Sequence, residues 1–344
     1  MPFILLGKKT ANRKPKVRTT PKVDEILGRF VPGKVKAIIE LIRPFTLLAP
    51  IIGGTSAALI SFKVNGGELP WPIITSYYPF IRWDFPQILT LIWGVLALVF
   101  VNAASNSLNQ ATDLDIDKIN KPYRPIPRGD ITKDEARTVA WFFYLMTLWR
   151  ASWVNRSFAF FILLIMLITI CYSVPPIQFK KRLWISNLSI AATRGLLGFV
   201  AAWCIFDDNP FDNPTPWAMG LVMSVFIFGT ITSKDFTDID GDKAFGMRTV
   251  PVVYGLRNAA LFTAMFFVLP FFLIPVLMYF HYLIPQTFIM TIMVAWGIYV
   301  LILINEAVHK KEDKVLENSP VWKHMYLMLL ALQMGFLTIY YLYY

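Results

Sequence analysis

The stretch ILTLIWGVLALVFVNAASNSLNQATDLDIDKINKPYRP, residues 88–125, passes from unbroken hydrocarbon into amides, then acids, then bases. A helix needs about 20 apolar residues to cross the hydrocarbon core of a bilayer, and Ile88–Ala104 reads as such a span. Beyond it, Asn102, Asn106, Asn109, Asp113 and Asp117 follow at steps of four, three, four and four. That spacing stacks them on one face of a helix that continues outward. Polar groups at the mouth of a membrane helix are costly there, so a stripe of them is a functional candidate.

The rest of the chain agrees with lipid as the main solvent. Of 344 residues, 16% are charged and 56% are hydrophobic, whereas soluble domains carry about 25% charge. Nine spans are expected, at Phe45–Phe62, Ile88–Ala104, Thr138–Val154, Ser157–Val174, Ile185–Phe206, Trp217–Thr232, Leu261–Phe280, Phe288–Ile304 and Met325–Tyr341. The third is the weakest, because Arg150 interrupts it. The expected fold is all-α and polytopic, with nine helices around a central cavity that opens to the cytoplasm. Connections rich in Lys and Arg alternate with poor ones, which puts the N-terminus in the cytoplasm and the C-terminus outside. The loop DDNPFDNPTP (207–216), acidic and without a base, falls outside.

The net charge of +11 therefore reflects cytoplasmic bias and a basic arm near anionic lipids, and does not call for nucleic acid. Residues 1–42 form that arm and an amphipathic interfacial helix; residues 43–344 form the membrane domain. Cys171 and Cys204 sit inside spans as packing residues, and Gly53-Gly54 and Gly195 read as close helix contacts.

A second acidic cluster, TSKDFTDIDGDKAFGMRT (232–249), follows the sixth span and lies on the same membrane side. Asp235, Asp238 and Asp242 again share a helical face. The clusters stand four spans apart, as in an internal repeat. Gathered carboxylates repel unless cations neutralise them, and hard oxygen ligands suit Mg²⁺ shared with substrate phosphates. An ion bridging a diphosphate would neutralise a leaving group, while a greasy cavity below shelters a long apolar tail. Together these describe ionisation of an allylic prenyl diphosphate inside a membrane. A plainer reading pairs the acids with Lys118, Lys121, Arg124, Arg128, Lys234 and Lys243. A secondary transporter is a further alternative, although its site should lie near the bilayer midplane on broken helices.

The sequence resembles the UbiA superfamily of intramembrane prenyltransferases. Asn109, Asp113 and Asp117 match its N-x-x-x-D-x-x-x-D motif, and Asp238 and Asp242 match its D-x-x-x-D motif, preceded by Asp235. NKPYRPIPRG (120–129), YSVPPIQFKKR (172–182) and Arg43-Pro44 also look like family connections. The resemblance implies that Asp113, Asp117, Asp238 and Asp242 ligate Mg²⁺, with Asn109 at the diphosphate. One departure is Gln110, where many members have Asp.

Further expectations rest on residue chemistry. Arg43, Lys121, Arg124, Arg128, Lys180, Lys181, Arg182 and Lys234 are candidate diphosphate contacts, with cytoplasmic charge bias as the plain alternative for each. Arg194 lies deep in the fifth span and reaches either the diphosphate or an anionic acceptor, unless it pairs with a buried Asp. Tyr172 points to the leaving group or to carbocation charge. Asp235 is the candidate base for the acceptor. The motifs look closest to archaeal ether-lipid enzymes that join a geranylgeranyl chain to geranylgeranylglyceryl phosphate. An aromatic acceptor, a quinone precursor or a chlorophyll-type ring, is the alternative.

Overall fold

The computed structural model describes residues 33–67, 85–309 and 321–344. The basic arm and the aromatic residues Trp71, Tyr77, Tyr78 and Trp83 of the outer connection lie outside these. In chain order the helices are α1 (Gly33–Ile42), α2 (Pro44–Val64), α3 (Phe85–Thr112), α4 (Leu114–Asn120), α5 (Lys133–Ala151) and α6 (Arg156–Ser173). They continue with α7 (Leu183–Trp203), α8 (Thr215–Thr230), α9 (Ile239–Ala244), α10 (Leu256–Met265), α11 (Leu269–Tyr279), α12 (Met293–His309) and α13 (Val321–Tyr343). Among the described residues there is no strand. The chain is an integral, multi-pass, all-α membrane protein.

Eight helices among the described residues are long and apolar enough to cross a bilayer. The expected third span is the exception that separates eight from nine. It does form a helix, α5, begun by a capping box between Thr132 and Glu135, but Lys133, Asp134, Glu135 and Arg137 make its first turns too polar to qualify. Its small residues Ala136, Ala140 and Ala151 are buried along α3, while Trp141, Phe142, Leu145 and Trp149 are exposed, as lipid-facing residues are. Arg150 is accommodated by aromatic faces, 3.8 Å from the Trp93 ring centroid and 4.0 Å from that of Trp149, which favours a cation in apolar surroundings.

The paired glycines do bring helices close. A Cβ on Gly53 would stand 2.4 Å from Gln333 Nε2 of α13, and one on Gly54 2.9 Å from Leu98 Cδ1 of α3.

The junction of α1 and α2 explains part of the amide stripe. Pro44 has no N–H to continue the helix, and Arg43 before it takes a left-handed conformation at φ 56° and ψ 72°. Carbonyls freed at this elbow need partners. Gln110 Nε2 donates to Leu41 O at 2.6 Å and Asn106 Nδ2 to Ile42 O at 2.9 Å; one turn on, Asn102 Nδ2 donates at 3.1 Å to Thr46 O, the carbonyl left without its helical donor by Pro50. Asn102, Asn106 and Gln110 thus hold the elbow that presents Arg43. Helix α1 buries Ala37 and Leu41 against the bundle and pairs Lys34 with Glu135 at 2.5 Å and Glu40 with Arg128 at 2.7 Å. It is a docked helix as well as an amphipathic one.

The two acidic clusters end their spans in the same way. Helix α3 breaks at Asp113 (φ −103°, ψ 13°) and restarts as α4; α8 passes through a 3₁₀ segment, Ile231–Thr237, breaks at Asp238 (φ −106°, ψ 2°) and restarts as α9. Neither cluster is therefore one continuous helical face. The two breaks are nearly identical in backbone conformation.

Candidate active site

Aspartate is a favoured N-cap because its side chain can accept from its own helix, yet neither Asp113 nor Asp238 does so. Each turns across the bundle to a lysine instead. Lys180 Nζ donates to Asp113 Oδ1 at 2.5 Å and to Thr112 Oγ1 at 2.7 Å, and Lys121 pairs with Asp238. The last acid of each cluster is buried inside its short helix. Asp117 accepts from Arg124 at 2.5 Å, and Asp242 accepts from the Thr249 hydroxyl at 3.1 Å.

Asn120 ties the clusters to each other. Its Nδ2 donates to Asp238 O at 2.8 Å, and its Oδ1 accepts from Gly241 N at 2.8 Å. Gly241 has to be glycine for this contact, since a Cβ there would lie 2.5 Å from Asn120 Oδ1. Nothing in the local sequence marked Asn120 as a bridge, because its partners are about 120 residues away.

The result is one chamber lined by Asp113, Asp117, Asp235, Asp238 and Asp242 and, interleaved with them, Arg43, Lys121, Arg124, Lys180 and Lys234. Five negative and five positive side chains leave its wall formally neutral. Burial first, and then the charges of Asp235 and Asp238, push Asp242 up to about 7. Burial and then Asp113 also raise Asp117, while the charges of Lys121 and Arg43 pull the other way. Lys234 stands 4.0 Å from Asp235 Oδ1, and its Nζ donates to the Tyr172 hydroxyl at 3.2 Å.

Among the described residues no three His, Cys, Asp or Glu side chains form a ready cage for a metal ion; three of the acids are turned to bases. The donor set nonetheless fits a hard divalent cation. It consists of carboxylates from two helices converging on one chamber, and Asn109 Oδ1 on that wall is buried with no hydrogen-bond partner. An unpaired buried oxygen of this kind calls for a donor or a cation.

Three of the expected contacts are not brought to the chamber. Arg128 pairs outward with Glu40 and Asp130, and Lys181 and Arg182, at the end of the short turn that buries Lys180 and just after it, are exposed. A three-residue turn directs neighbouring side chains apart, so only one of that basic run faces in. Gln110 also faces away, toward α1, so the missing carboxylate at that position subtracts nothing from the wall.

A second chamber adjoins the first, sharing Arg43, Asn109, Lys121, Tyr172 and Lys234 with it. It leads to a third, mostly apolar one, bounded by residues such as Leu98, Val101, Ile165, Phe199, Met223 and Leu329. Arg194 stands where the second and third meet.

An all-helical bundle in which a charged chamber leads, through a second, to an apolar one has room for an amphiphile, head group in the first and tail in the last. The UbiA prenyltransferase family matches residues 69–342, and this chain belongs to it. It is 30% identical over 162 residues to chlorophyll synthase of Oryza sativa subsp. japonica, covering 45% of this chain and 42% of that protein. It is 27% identical over 195 residues to digeranylgeranylglyceryl phosphate synthase of Methanosphaera stadtmanae, covering 56% and 67%. The match thus spans less than half the length of the chlorophyll synthase. In fold it resembles a UbiA homologue from Archaeoglobus fulgidus bound to GPP and Mg²⁺, with a TM-score of 0.61 and 19% identity over 88% of this chain and 99% of that one.

Proposed function

We propose that the protein is a Mg²⁺-dependent prenyltransferase that moves an isoprenoid chain from a prenyl diphosphate to a lipid-soluble acceptor. The observation that carries this reading is the charge-balanced chamber of five acids and five bases opening onto an apolar one. A neutral wall does not by itself offset a polyanionic diphosphate, so the substrate needs a divalent cation with it. The residues suited to hold that cation are Asp113, Asp117, Asp238 and Asp242 with Asn109, and the ion would supply neutralisation of the departing diphosphate.

The chain's own side chains have distinct tasks. Arg43, Lys121, Arg124, Lys180 and Lys234 surround the diphosphate, and Tyr172, held by Lys234, borders both chambers. The bond from prenyl C1 to oxygen breaks and its electron pair leaves with the diphosphate. The acceptor then bonds to C1 and releases a proton. Asp235, 7% exposed and not hydrogen-bonded to a base, is the carboxylate proposed to take it. Replacing Asp235 by Asn should leave diphosphate binding in place while product formation falls.

For the acceptor we propose geranylgeranylglyceryl phosphate and for the donor geranylgeranyl diphosphate, with the chamber facing the cytoplasm. An aromatic acceptor is the second reading, favoured by the match to chlorophyll synthase. The test is transfer of radiolabelled geranylgeranyl diphosphate to a panel of acceptors in nanodiscs, with products identified by mass. Asp113→Ala and Asp238→Ala should each remove nearly all turnover. Full activity in EDTA refutes the proposal.

A further inference from the structure

The first and second chambers share bases but differ in their acids. The acids all line the first. The second has Arg43, Lys121, Arg194 and Lys234 on its wall and, among the described residues, no Asp or Glu. Three of these bases also face the acids. Arg194 does not, and it has no ion pair among the described residues; its side-chain bond is from one guanidinium nitrogen to Asn102 Oδ1 at 3.3 Å. Its side chain lines both the second and the third chamber.

The backbone fixes Arg194 in that place. It lies 11 residues along α7 from Leu183, about 16 Å at 1.5 Å per residue. There the helix widens into a π segment, Ala192–Leu196, a distortion that recurs at functional sites. Gly195 packs so tightly that a Cβ would stand 2.6 Å from the Ser224 Cα of α8, and Ser224 Oγ donates to Ala191 O at 2.9 Å. The bulge turns Arg194 toward the cavity while the next residue is pressed on the neighbouring helix. Arg194 is exposed into the chambers and its charge is matched by no carboxylate on the wall of the second, so it is open to an anionic group that enters there.

We infer that Arg194 binds an acidic group of the acceptor, a carboxylate or a phosphate, in the second chamber, and so selects acceptors that carry one. This rests on the prenyl-transfer reading above. The diphosphate has its own five bases in the first chamber, two of which, Arg124 and Lys180, line that chamber alone. The acidic group stays intact and serves to place the nucleophile beside prenyl C1. The planar guanidinium suits either anion by paired hydrogen bonds, and Asn102, already fixed to α2 through Thr46 O, steadies it.

The experiment uses the full chain in nanodiscs with two matched pairs of acceptors: geranylgeranylglyceryl phosphate against geranylgeranylglycerol, and homogentisate against its methyl ester. Binding is measured by thermal shift without donor, and transfer with geranylgeranyl diphosphate and Mg²⁺. The wild type should prefer the acidic member of one pair, and the pair that shows it tells phosphate from carboxylate. Arg194→Gln should erase that preference with a loss of about ten- to hundredfold in acceptor affinity, and leave the affinity for geranylgeranyl thiodiphosphate with Mg²⁺ unchanged. Arg194→Lys, which keeps the charge but not the fork, should lose less, and it carries the test if the Gln variant does not fold. The inference is overturned if neither acidic acceptor binds more tightly than its neutral partner. It is equally overturned if the variants weaken thiodiphosphate binding while acid preference persists. Acid-selective, Arg194-dependent binding without any product would leave this inference standing and sink the transfer reading instead.

Discussion

Replacing Asn120 by Ala tests whether the two clusters act as one unit. The substitution removes both 2.8 Å hydrogen bonds and leaves the Asp238 carbonyl and the Gly241 N–H without that partner. At about 0.5–1.5 kcal/mol for each bond, the loss is about 1–3 kcal/mol. At about 2 °C per kcal/mol for a large chain, Tm falls by roughly 2–6 °C. The larger effect is on geometry, because Asp238 and Asp242 are set against Asp113 and Asp117 partly through this side chain. A shift of about 1 Å at a reacting centre costs on the order of a hundredfold in rate. Turnover should therefore fall about 10- to 100-fold, with the half-saturating Mg²⁺ concentration raised. Gly241→Ala should act similarly, since its Cβ would displace the Asn120 amide, and combining it with Asn120→Ala should be milder than the sum of the two. The assays are thermal melting and diphosphate release across a Mg²⁺ titration. If Asn120→Ala lowers Tm as expected while turnover and Mg²⁺ dependence stay at wild-type values, the bridge is structural only and the reasoning fails.

Two further outcomes follow from the same geometry. Asp242 is raised from its ordinary carboxylate range to about 7, so the folded state holds this proton more tightly than the unfolded state. Its contribution to stability is complete below the unfolded pKa and is lost as pH rises through about 7. Metal-free protein should melt higher at pH 6 than at pH 8, and added Mg²⁺, which competes with the proton, should raise Tm more at pH 8. Equal Mg²⁺ shifts at both pH values would count against a metal role for Asp242. Gly195→Ala places a Cβ 2.6 Å from backbone atoms of Ser224, which cannot move aside as a side chain can. It should destabilise by about 1–3 kcal/mol as overpacking does, seen as a lower Tm and weaker acceptor binding; an unchanged Tm would mean that α7 and α8 do not pack as closely as described.

The sequence by itself determined the solvent, the helical class, most of the spans and the position of both acidic clusters, because length, hydropathy and residue spacing are properties of the chain. Asn109, Asp113, Asp117, Asp238 and Asp242 were legible from their spacing and motif, and so was the depth of Arg194. Spacing fixes direction only while one helix persists, however, and both helices break, at Asp113 and at Asp238. Past a break or in a connection, a side chain's direction is set by what the chain packs against. The tertiary structure therefore decided that Lys180 faces in while Lys181 and Arg182 do not, and that Arg124 meets Asp117 while Arg128 turns to α1. The same holds for Asn106 and Gln110, whose partners are carbonyls freed at the Pro44 elbow, for Asn102, whose partner is the carbonyl freed by Pro50, and for Asn120, whose partners belong to the other cluster. Each of these is a contact between segments distant along the chain, which composition and period do not encode.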